Sequence, residues 1–148
     1  MPDKETLERA REDAAEGKAP SSQAGEFVRE EIHHIREGKH GARSAKQAIA
    51  IGLSKARRAG VKLRPPRKGT TSARVRKQAA RDVAKGRRRA VKTSAQRSRA
   101  ALAKLKGESR SAATPLALAR QARSSARKRG ARQRSAAARK AARTRARK

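Results

Sequence analysis

The chain has no cysteine, tryptophan, tyrosine or asparagine, and one phenylalanine and one methionine in 148 residues. Without cysteine it has no disulfide, thiolate nucleophile or thiolate metal site, which fits a reducing compartment. No apolar run approaches the roughly 20 residues that a membrane span requires. The acidic start, Met1-Pro2-Asp3-Lys4-Glu5, lacks the apolar stretch of a secretory signal. The expectation is a cytoplasmic chain without a membrane partner. The scarcity of aromatic rings removes the platform on which single-strand binders stack unpaired bases. The lack of asparagine and the few glutamines leave little with which to read adenine.

Catalysis has equally little to stand on. There is no glycine-rich phosphate loop after a strand and no carboxylate pair in an apolar setting. His33, His34 and His40 match no metal-ligand spacing and read as surface histidines beside a turn. The expectation is a protein that is not an enzyme and needs no cofactor or metal.

What the chain does have is positive charge. It carries 43 Lys and Arg against 12 Asp and Glu, a net charge of +31. The first 37 residues hold ten acids and six bases, so the excess lies after Glu37, where Asp82 and Glu108 are the acids. A cation density this high over a long run matches the phosphate backbone of nucleic acid.

The chain divides into four parts. Residues 1–19 read as an acidic N-terminal helix or arm, with Asp3 as N-cap, Gly17 as stop and a thin apolar stripe of Leu7, Ala10 and Ala14. Ala19-Pro20-Ser21-Ser22 reads as a hinge. Residues 20–63 predict a helical hairpin. Val28, Ile32 and Ile35, with Phe27 beside them, form the apolar face of its first helix, and Glu26, Glu30 and Glu31 suit the positive end of the dipole. Gly38-Lys39-His40-Gly41 frames the turn, and Ser44-Ala45-Lys46-Gln47 has the form of a capping box. A second helix then runs from Ala45 to about Ala59, with Gly60 and Val61 placed for a Schellman ending.

Residues 64–69, with Pro65 and Pro66, read as an extended basic linker. Residues 70–148 are low-complexity Ala, Arg, Lys and Ser, broken at Gly86, Gly107, Thr114-Pro115 and Gly130. So few large apolar side chains, at roughly 25 cal/mol per Å2 buried, do not offset backbone ordering at ~1–2 kcal/mol per residue. The predicted fold class is therefore mostly α: a small helical hairpin plus a largely disordered tail that becomes helical on binding polyanion.

The stretch Lys46-Gln47-Ala48-Ile49-Ala50-Ile51-Gly52-Leu53-Ser54-Lys55-Ala56-Arg57 resembles a motif of small basic bacterial proteins of no assigned function, some named DNA-binding or plasmid stabilization protein. The usual turn of that family is similar to F-K-x-G-x-L-x-S-G, whereas the segment from Ile35 to Gly41 is shorter and partly acidic. In composition the tail resembles those of bacterial histone H1-like proteins.

The function expected from these features is duplex DNA binding without sequence preference, by phosphate neutralisation, as in nucleoid-associated, H1-like DNA organisation. Lys46, Lys55, Arg57, Arg58, Lys62, Arg64, Arg67 and Lys68 are the expected ordered contacts. Arg87, Arg88, Arg89, Arg127 and Arg129 are expected as interchangeable tail contacts. The alternatives are an RNA- or ribosome-associated basic protein, and a protein-interaction module, localised by its tail, that pairs as a homo-oligomer through residues 26–63.

Overall fold

A computed structural model describes residues 1–88 and 94–146. Its helices are α1 (Lys4–Ala15), α2 (Pro20–Arg36), α3 (Ala45–Arg58), α4 (Ala73–Arg87), α5 (Ala95–Lys106), α6 (Pro115–Lys128) and α7 (Gly130–Arg145), with a 3-10 turn at Arg110–Ala113 before α6. The helical hairpin is present as α2 and α3. Among the described residues no helix is long and apolar enough to cross a membrane.

Local sequence accounts for most helix ends. The Ser44 hydroxyl accepts from the Gln47 amide at 3.2 Å, and the Gln47 side chain takes the Arg43 amide at 2.9 Å. This is close to the expected capping box, with the return bond made one residue before the cap. At the other end of α3, Gly60 has φ +94° and the Val61 amide reaches the Ala56 carbonyl at 3.1 Å, as a Schellman ending requires. Gly17 and Gly38 close α1 and α2 in the same way. The expected hinge at residues 19–22 is instead the first turn of α2, because Pro20 sits at N1, where its missing N–H has no helical partner to lose.

That longer α2 moves Glu30 and Glu31 from the first turns into the middle of the helix, where both are buried. The apolar face forms as expected: Phe27, Ile32 and Ile35 are buried. One cluster joins Ile32, Ile35, Ala42 and Ala48 to Ala112 and Ala113, with Val28 and Leu118 against it. A second joins Ala10, Ala24, Phe27 and Ala56, with Leu7, Leu53, Val61 and Leu63 against it. The N-terminal helix is therefore docked, and the tail supplies part of the core.

The expectation of a largely disordered tail is overturned, since α4 to α7 occupy it. Two physical terms account for the difference. Like charges at i and i+4 cost only about 0.2–0.5 kcal/mol per pair, while alanine is the strongest helix former and each N-cap contributes about 1 kcal/mol. Ser72, Ser94, Ser109 and Thr114 all cap the element that follows them through their side-chain oxygens. The second term is close approach. The α3 stripe Ala45, Ala48, Gly52 and Ala56 is buried, and a Cβ at Gly52 would lie 2.7 Å from the Val28 Cα. Small residues thus let backbones pack where large side chains are scarce. Gly86 does the same for α4 on α3, as its added Cβ would overlap the Arg57 carbonyl.

Candidate nucleic-acid interface

The acids of the first 37 residues offset most of the positive charge of the head, residues 1–63. Arg9 Nε donates to Glu26 at 2.8 Å, Lys18 Nζ to Asp13 at 2.6 Å, and Lys55 Nζ to Glu30 at 2.8 Å. Beyond Glu37, Asp82 is buried and accepts from Arg58 Nε at 2.8 Å, Ser54 Oγ at 2.7 Å and Gln78 Nε2 at 3.2 Å. Asp82 is thus used up in pinning α4 to α3 rather than in cancelling tail charge.

The expected contact residues separate into two groups. Lys46, Lys62, Arg64, Arg67 and Lys68 are exposed on the start of α3 and on the extended segment after it. Arg87 and Arg88 are exposed at the end of α4, and Arg127 and Arg129 at the end of α6. Arg89 lies outside the described residues.

Lys55 and Arg57 do not belong to that surface. The Lys55 ammonium lies 2.8 Å from Glu30 Oε1 and 2.9 Å from Glu31 Oε2, inside the α2–α3 contact. Burial opposes its charge, but hydrogen bonds to Glu30 and Glu31 prevail and its pKa is raised. Arg57 is buried where α4 crosses α3, and burial pushes its guanidinium below the ordinary value while Asp82 opposes the shift. Arg58 is half-exposed and committed to Asp82. The cations of α3 therefore do not all separate from its packed face. Helical period alone cannot show this, because α4 returns from outside the local window.

The expected tail contact Arg127 belongs to a denser cationic feature. Arg120, Arg123, Arg127 and Lys128, with Ser124, line a groove of about 400 Å3 on α6. The spacing 120, 123, 127 is one helical face. α7 follows across Gly130, whose φ of +67° breaks the axis, and Arg134 Nη1 donates to the Ala126 carbonyl at 3.2 Å. Every residue of α7 is exposed, and it contains Arg132, Arg134, Arg139, Lys140, Arg143 and Arg145 with no acid.

A second polar centre lies inside the head and corrects the expectation of surface histidines. His40 is buried, with Nε2 3.4 Å from Glu31 Oε1. His34 Nε2 lies 3.0 Å from Asp3 Oδ2, its Nδ1 4.0 Å from Glu30 Oε1, and its ring 6.2 Å edge-on from that of His40. His33 alone of the three is exposed. The hydrogen bond from His34 holds the Asp3 carboxyl below its usual value, against the opposing effect of its partial burial. Asp3 caps α1 by position without a side-chain cap bond, because its carboxylate is turned to α2.

Residues 19–68 match the model of a family described as a family of unknown function (DUF6496), a stretch covering α2, the turn, α3 and the extended segment. No curated protein and no solved structure matches the chain.

Proposed function

We propose that the protein binds duplex DNA without reading its sequence, by presenting phosphate-neutralising cations on folded helices. The observation that carries this reading is the acid-free, wholly exposed α7 beside the four-cation groove of α6. Cations with no nearby carboxylate release the counterions of a polyanion on contact, which drives association. Arginine suits this role because its fork takes phosphate oxygens in pairs. The head is largely neutralised by its own acids and acts as the scaffold on which α4 and α6 are mounted. Phosphate contact dominates because the exposed set lacks asparagine and aromatic side chains, which would read or stack bases. An H1-like role in organising nucleoid DNA follows from binding of this kind along any sequence.

Competition tests the reading. Labelled duplex DNA is held by the full chain at 150 mM salt and challenged with random-sequence duplex or structured RNA at equal phosphate concentration. Random duplex displaces the label as well as the original sequence does, and structured RNA displaces it less well. Preferential displacement by RNA moves the protein to the RNA-associated class.

A further inference from the structure

We propose that Glu31, His34 and His40 form a binding site for a divalent transition-metal ion of the zinc class, with Glu30 and Asp3 beside it. One ligand atom from each of the three lies within 4.8 Å of the others. His40 Nε2 and Glu31 Oε1 are 3.4 Å apart. Two ligands of a tetrahedral ion at about 2.0–2.1 Å must stand roughly 3.3–3.4 Å from one another, so this pair already spans one edge of such a site. His34 completes a set of two imidazoles and one carboxylate, a donor combination suited to zinc and its neighbours.

Two further observations favour a cation here. Glu31 is fully buried, with Lys55 Nζ 2.9 Å from its Oε2 and its Oε1 turned to His40 Nε2 at 3.4 Å. A buried carboxylate is costly unless cations satisfy it. The local charge is also unbalanced. Asp3, Glu30 and Glu31 supply three carboxylates, and Lys55 Nζ is the ammonium placed between two of them. Lys39 beside Asp3 leaves the three carboxylates one charge in excess, which favours a cation. Lys55 donates to Glu30 Oε1 at 2.8 Å and stands 2.9 Å from Glu31 Oε2, so an ion would take Glu31 Oε1 on the His40 side. Of the three ligands His34 reaches the surface, where it lines an open cleft with Asp3, Glu30 and Lys39.

The chain order also fits. Glu31 and His34 are three residues apart on α2 and so share a face. His40 follows the positive-φ Gly38 that turns the chain back. A bound ion would cross-link the end of α2 to the turn.

Zinc is titrated into the metal-free full chain at pH 7.5 against a chromogenic indicator, and cobalt is used to read visible bands that report imidazole ligation. One equivalent binds, and wild-type cobalt protein shows those bands. His40→Gln and Glu31→Gln each weaken affinity at least tenfold, with far-UV circular dichroism confirming that the variants remain helical. His33→Gln leaves it unchanged. Lys55→Met, which removes the competing ammonium, tightens binding, so that a loss in the first two variants is not read as misfolding. Asp3, Glu30, Glu31, Lys39 and Lys55 are the other charged groups facing the site. Absence of stoichiometric zinc binding, cobalt bands without imidazole character, or equal loss with His33→Gln overturns the proposal.

Discussion

Single residues decide whether this alanine-rich chain packs. Gly52 is the clearest case, because any side chain there meets the backbone of α2 at Phe27 and Val28. Gly52→Val should destabilise the fold by at least about 1–3 kcal/mol, read from chemical denaturation. A similar change at Gly25, which has nothing within 4 Å, should cost little, since glycine is the weaker helix former. Lys55 carries a pH signature. Its pKa is raised in the folded state, so its contribution is complete below the ordinary lysine value and fades as pH rises through the higher folded value. Melting temperature should therefore fall in the alkaline range above the ordinary lysine value, and Lys55→Gln should flatten that fall. Ser44, Gly60, Thr114 and Pro115 were legible in the sequence because caps and stops are local. The inward turn of Lys55 and Arg57 was not. Their partners, Glu30 and Glu31 on one side and α4 on the other, come from elsewhere in the chain.

At the scale of elements, the hairpin was legible because α2 and α3 carry nearly all the large apolar residues with helical period. The breaks in the tail were legible too, since Gly107 is the C-cap of α5 and Gly130 separates α6 from α7. The state between the breaks was not legible, because it depends on close backbone approach rather than on large buried side chains. α4 illustrates the difference: it buries Ala79 and Asp82 and closes on α3 at Gly86. Asp82→Ala leaves the Ser54 hydroxyl and the Arg58 guanidinium without their acceptor. It should cost about 1–3 kcal/mol, and faster amide exchange should be confined to α4 and the second half of α3. If exchange rises equally throughout, the α4 contact is not a separable unit. Far-UV circular dichroism of the full chain without nucleic acid should already show the tail helices. A coil-like tail that becomes helical only with DNA would restore the picture drawn from composition.

At the scale of the molecule, charge is sorted rather than spread. The head holds ten of the twelve acids and buries Glu30 and Glu31 among them, whereas α6 and α7 carry cations outward with no acid between Pro115 and Arg145. The overall basicity was plain from composition, but its concentration on a docked helix and its neighbour was not, because composition does not reveal which cations are consumed by packing. The most direct measurement is duplex DNA binding across a salt series for wild type and for a variant with Arg120, Arg123, Arg127 and Lys128 all changed to Gln. The slope of log affinity against log salt should be shallower in the variant by up to about 3.6, four contacts at roughly 0.9 each, with its head as stable as wild type. An unchanged slope and affinity would contradict the account.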